Sequence, residues 1–231
     1  YEFAYKCHKG KMRKNNEEFI THPLNVALIC ASLNVDSTTI ISALVHETID
    51  NGPSSLEEIE SLFGEEVMHI VSSLMKVNRL KLTDESESTS LYLRKVLVAL
   101  SEDVRVLIIK LAGRVHNMRT IYPFSKEKQR LKAIETQNVL IPIAHRLGIN
   151  QLKTELEDIC FRVLKNEDYK SVEESLPASR EKLNEILEET KETIIEELKQ
   201  NNISFEIKGR VKSNSSIYNK LSKGKKMSEI Y

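Results

Sequence analysis

Apolar side chains recur three and four residues apart along almost all of this chain, and that spacing restricts it to a mostly helical fold. Leu24, Ala27, Leu28 and Ala31 form one stripe, and Ile40, Ile41, Leu44 and Val45 form the next. Ser54-Ser55 before Leu56-Glu57-Glu58 predicts an N-cap with an acidic first turn. Gly64 separates that helix from one carrying Val67, Ile70, Val71 and Leu74, and residues 81–90 read as a polar loop. Helices are predicted to resume over Leu91–Leu100 and Val104–Met118. The second is apolar on nearly all sides at its start, as a central buried helix would be. Lys126–Ile143 and Gln151–Leu164 give two more, joined through Ala144-His145-Arg146-Leu147-Gly148. A boundary follows near Lys165–Pro177. Leu183, Ile186, Leu187, Ile194 and Leu198 then line one face of a long, charged helix, and Ile203–Lys208 alternates as a strand does. The expected fold is mainly α: an all-helical bundle over residues 1–164, a helical linker over 165–202, and over 203–231 the truncated start of an α/β domain.

Composition narrows the partners. Lys plus Arg and Asp plus Glu balance at 34 each, so no global basic field advertises DNA binding; basic residues gather only at Lys6–Lys14 and Lys208–Lys226. No apolar run approaches the roughly 20 residues of a membrane span, and no signal-peptide pattern is present. Cys7, Cys30 and Cys160 are odd in number and widely spaced, which suits reduced thiols in a cytoplasmic protein better than a disulfide framework or a zinc knuckle. The first residue is Tyr1 rather than Met, so the chain is expected to be a piece of a longer one.

Three separated segments carry the chemistry: Thr21-His22-Pro23-Leu24, Val45-His46-Glu47-Thr48-Ile49-Asp50-Asn51, and Lys110-Leu111-Ala112-Gly113-Arg114-Val115-His116-Asn117-Met118-Arg119-Thr120. Taken alone, a histidine beside an apolar stripe reads as a core residue, and Arg13-Lys14 as a solvated basic loop. Taken together, with Ala144–Ile149 and Glu155-Leu156-Glu157-Asp158 downstream, the segments resemble the metal-dependent HD phosphohydrolase domain of long RelA/SpoT homologues, which make and destroy the alarmone (p)ppGpp.

That resemblance implies a divalent ion, Mn²⁺, held by His22, His46 and a carboxylate at Glu47, where the family has Asp. It places Asp50 and Asn51 at the positions of a catalytic acidic pair, and Gly113 where the family's fourth ligand, an Asp, would stand. Asn51 cannot take a proton, and losing a carboxylate takes both a charge and a coordination bond from a hard-cation site. Weak or lost hydrolysis is therefore expected; the alternative is an active Mn²⁺-dependent (p)ppGpp hydrolase with non-standard ligands. His116 is expected to be structural. Arg13, Lys14, Asn117 and Thr120 match the family's nucleotide-binding positions, and Arg114, counted with them, is expected to reach a phosphate or a neighbouring acid.

Gly209-Arg210-Val211-Lys212 and Ser216-Ile217-Tyr218-Asn219-Lys220 resemble the opening of the family's synthetase domain. Arg210, Lys212, Tyr218 and Lys220 would contact phosphates there, with Mg²⁺ serving the synthetase half of the longer chain. The implied partners are guanine nucleotides ((p)ppGpp, GDP and GTP), the rest of its own synthetase domain and, through an absent C-terminal part, the ribosome. The longer chain would act chiefly as a GTP pyrophosphokinase, and this piece should not synthesise (p)ppGpp.

Overall fold

The structure, a computed structural model, describes residues 1–79 and 103–230. The loop and helix expected over 81–100 lie outside the described residues. The chain divides into two compact units, Tyr1–Cys160 and Phe161–Tyr231.

The first unit is built from helices: α1 (Glu2–His8), α2 (Thr21–Ser32), α3 (Ser37–Val45), α4 (Leu56–Phe63), α5 (Glu65–Arg79), α6 (Val104–Arg119), α7 (Lys126–Glu135) and α8 (Ile141–Arg146), with most of α9 (Asn150–Leu164). Their ends follow local chemistry. The side chain of Asp36 accepts from the backbone N–H of Thr39 to start α3, and Ser55 does the same for Glu58 at α4, as its sequence predicts. Gly64, at φ 90°, turns the chain from α4 into α5 through backbone space that other residues rarely enter. The helix expected over Lys126–Ile143 is divided by a π turn at Thr136–Leu140. Pro142, just beyond it, has no N–H to continue the α ladder.

Packing centres on α2, which lies against both α3 and α6, while α5 packs against α3, α4 and α6. On α6, Val106, Leu107, Ile109, Leu111, Ala112, Val115 and Met118 are all buried, so the expected central helix is found, although Val104 at its start is exposed. On α2 the buried set is His22, Pro23, Val26, Ala27, Ile29 and Cys30, and it differs from the expected stripe. Leu28 is 59% exposed and Ala31 also faces solvent. All six residues from Val26 to Ala31 are apolar, so spacing alone admits more than one face. Cys7, Cys30 and Cys160 are free thiols; burial pushes those of Cys30 and Cys160 up to about 12.

The second unit holds α10 (Asn166–Glu174), α11 (Arg180–Gln200) and α12 (Asn214–Leu221), with α10 packed on α12 around Val172, Ile217 and Ile230. The strand expected at Ile203–Lys208 is not formed, because a strand needs a partner to fill its ladder. Among the described residues the only β pairing is an isolated bridge between Met12 and Glu18. The segment after α11 instead returns along that helix. A Cβ on Gly209 would come 2.8 Å from Leu187 Cδ1, and Arg180 donates to the carbonyl of Lys212 and to Asn214 Oδ1. Among the described residues no helix is long and apolar enough to cross a membrane.

Ile59 is fully buried, packed with Val45, Val67 and Val71 where α3, α4 and α5 meet. Ile59→Ala should destabilise the protein by about 2–5 kcal/mol in urea unfolding, through lost transfer energy plus a cavity. A loss below about 1 kcal/mol would contradict this packing.

Candidate functional site

The packing of α2 on α3 and α6 sets two histidines and a carboxylate around one cavity. His22 is the second residue of α2, His46 is the C-cap of α3, and Glu47 follows it. Their donor atoms lie within 4.8 Å of one another, with both histidines buried. Glu47 Oε1 stands 3.7 Å from His22 Nε2 and 3.8 Å from His46 Nε2. Two donors that share a first-row ion at about 2.1 Å can stand no more than about 4.2 Å apart, so both Glu47 spacings fit a common ion. Two imidazoles and one carboxylate also suit a divalent first-row metal chemically.

The remaining ring nitrogen of each histidine is engaged. His46 Nδ1 is 2.8 Å from the carbonyl of Ala43, which can only accept; His46 therefore carries its proton on Nδ1 and leaves the Nε2 lone pair toward Glu47. His22 Nδ1 is 2.9 Å from His116 Nδ1. Burial, then the neighbouring His46, holds His22 down at about 2; burial, then Arg13, holds His116 at about 4. Both rings are neutral at pH 7.

Gly113 forms part of the wall of this cavity, which has a volume of about 80 Å³. A Cβ built on Gly113 meets nothing nearer than Val26 Cγ2 at 4.0 Å. Lys110, Gly113, Arg114 and Asn117 share the wall, one face of α6 at the helical spacing i, i+3, i+4, i+7. Burial, then Arg114, lowers the Lys110 ammonium to about 8, and its amine donates to Asn78 Oδ1. Asp50 and Asn51 are exposed and not part of this wall. The Asn51 backbone N–H donates to the Glu47 carbonyl at 2.9 Å, and its own carbonyl accepts from Lys11 Nζ at 2.5 Å. Asp103 caps α6 and pairs with Arg105, which accounts for its carboxylate.

A second cavity of about 250 Å³ adjoins the first through Arg114 and Asn117 and is also lined by Arg13, Thr120, Phe124, Lys128 and Lys132. Arg13 projects from the turn closed by the Met12–Glu18 bridge, where Asn16 takes the left-handed φ of 62°. Its guanidinium donates to His116 Nδ1 at 3.0 Å, and to Asn117 Oδ1 and Thr120 Oγ1 at 3.3 Å each. Lys14 is exposed and sits 5.3 Å over the Phe124 ring; Lys128 lies 4.6 Å from the same ring. Arg114 donates to Glu135 at 2.7 Å and to Thr136 Oγ1 at 3.0 Å, at the entry to the π turn. Burial alone would raise the Glu135 carboxyl, but Arg114 and Lys132 outweigh it and hold it at about 2. Sequence reading missed Lys110, Phe124, Lys128, Lys132 and Glu135. Of these, Lys110 was accessible from the α6 periodicity.

Residues 1–150 match the HD domain family. The chain is 37% identical over 221 residues to the bifunctional (p)ppGpp synthase/hydrolase SpoT of Escherichia coli, covering 96% of this chain and 32% of that protein. It is 39% identical over 233 residues to a guanosine-3′,5′-bis(diphosphate) 3′-pyrophosphohydrolase of Aquifex aeolicus, covering 100% and 33%. A GTP pyrophosphokinase of Myxococcus xanthus is 36% identical over 224 residues, covering 96% and 30%.

The chain belongs to the RelA/SpoT homologues and carries their HD domain. It spans about a third of the length of these relatives. A solved structure described as a metazoan ortholog of SpoT that hydrolyzes ppGpp aligns at a TM-score of 0.56 and 22% identity, over 70% of this chain and 90% of that one; at that identity the likeness shows a shared fold. In the second unit, where the family's synthetase motif was read, Arg210 is exposed and Lys212 donates to the Ile230 carbonyl at 3.3 Å. Burial, then Lys220, Arg210 and Lys225, lowers the Lys212 ammonium. The ring of Tyr218 packs 4.8 Å from Phe161.

His22 and His116 both titrate below the ordinary histidine value, so the unfolded chain binds protons that the native state refuses once pH falls below about 6.5. In metal-free protein the urea midpoint should therefore fall as pH is lowered from 6.5 to 4.5, with full stability retained above 6.5. A flat response would contradict the burial of neutral rings.

Proposed function

We propose that this chain is the alarmone-handling portion of a RelA/SpoT-type protein. Its two cavities take a guanosine tetra- or pentaphosphate. His22, His46 and Glu47 hold Mn²⁺ weakly, and 3′-pyrophosphate hydrolysis is weak or lost. The observation that carries this reading is Gly113, which stands in the wall of the donor cluster with room for a side chain and no carboxylate to offer.

When bound, a divalent ion lowers the pKa of its water toward neutrality and supplies the attacking hydroxide. His22 and His46 offer it neutral Nε2 atoms and Glu47 offers one charge. Lys110 and Arg114, on the same wall, are cations that favour the phosphates of a substrate over the ion itself. Arg13, with Lys14 and Lys128 at the Phe124 ring, gives the larger cavity planar and cationic surfaces on which a guanine base and its phosphates can settle. Asp50 and Asn51 are exposed and away from the cavity wall, and the Asn51 amide takes no proton, so neither offers a positioned base there. The nucleotide roles of Lys14, Asn117 and Thr120 rest on the family pattern and on this proximity.

The reading also places the protein in a cytoplasm and gives the longer chain GTP pyrophosphokinase activity with Mg²⁺. Arg210, Lys212, Tyr218 and Lys220 would serve that synthetase half, and a ribosome contact would belong to a part beyond this chain.

A second reading, an active Mn²⁺-dependent hydrolase with unusual ligands, is favoured by the intact His22–His46–Glu47 convergence. One measurement separates the readings and a second tests the site itself. Pyrophosphate release from ppGpp under saturating Mn²⁺ should be at background in folded protein; metal-dependent turnover would establish the second reading instead. Gly113→Asp should raise Mn²⁺ affinity by about tenfold or more, since even an outer-shell partner is worth that much. An unchanged affinity would show that Gly113 does not face the ion.

A further inference from the structure

His116 is buried and does not line the donor cavity. Its Nδ1 nevertheless stands at the meeting point of two polar contacts, 2.9 Å from His22 Nδ1 and 3.0 Å from Arg13 Nη1. A guanidinium can only donate. His116 Nδ1 must therefore present its lone pair to Arg13, which places the His116 proton on Nε2.

The same elimination then reaches His22. Were its Nδ1 bare, two lone pairs would oppose each other at 2.9 Å. A proton on His22 Nδ1 instead makes it a second donor to the single lone pair of His116 Nδ1, which Arg13 and His22 then share in a bifurcated contact. That leaves the lone pair of His22 on Nε2, the atom that stands 3.7 Å from Glu47. His46 reaches the same state by a different route, through the Ala43 carbonyl.

We propose that His116 is a positioning residue: oriented by Arg13, it holds His22 in the Nδ1–H tautomer with the Nε2 lone pair turned into the donor cluster. This rests on reading His22, His46 and Glu47 as the metal site. Metal-ligating histidines usually hand their other N–H to a carboxylate, a carbonyl or water; here a second imidazole takes that part. Because Arg13 also lines the larger cavity, one short chain of hydrogen bonds, Arg13–His116–His22, joins the pocket proposed for the nucleotide to the proposed ligand.

The test begins with metal-free wild-type protein, in which ¹⁵N-detected two-bond correlations assign histidine tautomers. His22 should show a protonated Nδ1 and His116 a protonated Nε2; the opposite tautomer at His22 would overturn the proposal, whatever the protein does with metal. Mn²⁺ titration of variants then reads the positioning effect. His116→Leu removes the acceptor and should weaken binding by about ten- to hundredfold, the usual cost of losing an outer-shell partner. His116→Asn, whose Oδ1 can accept where Nδ1 did, should recover most of that loss. Equal affinity in wild type and His116→Leu, or no recovery in a folded His116→Asn, would overturn it. If wild type binds no Mn²⁺ at all, the metal reading fails instead, and the tautomer measurement still decides the part played by His116.

Discussion

The contact between α2 and α6 is the constraint on which the site depends. Val26, Ala27, Ile29 and Cys30 on one helix and the buried series from Val106 to Met118 on the other fix how the two lie together. His22 opens α2 on its buried side, and Gly113 lies midway along α6, so this contact decides that the two share one cavity. The packing of α3 on α2 adds His46 and Glu47 from the helix end. Of the three donors only His22 lies within a helix; His46 caps α3 and Glu47 sits in the turn that follows it.

Charge decides what such a cavity prefers. One carboxylate, Glu47, faces two cationic side chains, Lys110 and Arg114, across the wall. A divalent ion placed there has a single anionic ligand and two like-charged neighbours, whereas a phosphate chain has both cations to meet. Arg114 is held in place by Glu135 and Thr136, with Lys132 closing the same ion network, so part of the basic surface is preorganised before any ligand arrives. That charge balance is the electrostatic ground on which the proposed binding of a phosphorylated nucleotide rests.

Much of this was legible in the sequence, for identifiable reasons. The helices were readable because their apolar positions repeat and because Ser55 and Gly64 punctuate them. The ligand candidates His22, His46 and Glu47, and the Gly113 position, were readable because they sit in local patterns far more specific than a lone histidine. What escaped depended on information spacing does not carry. The buried face of α2 was ambiguous because six consecutive apolar residues satisfy more than one stripe. The Ile203–Lys208 alternation is present in the sequence, but a ladder needs a second strand that the described residues do not supply. The contacts of His116 to Arg13 and His22, 103 and 94 positions away, could not be read from local spacing.

The central claim is a metal site with three protein donors and an opening where Gly113 stands. A crystal structure of Mn²⁺-soaked protein, with data collected at the manganese edge, tests it most directly. The account predicts an anomalous peak, below full occupancy, bounded by His22 Nε2, His46 Nε2 and a Glu47 carboxylate oxygen, with water alone on the side facing Gly113. A fourth protein carboxylate on the ion, or a peak away from these residues, would contradict it.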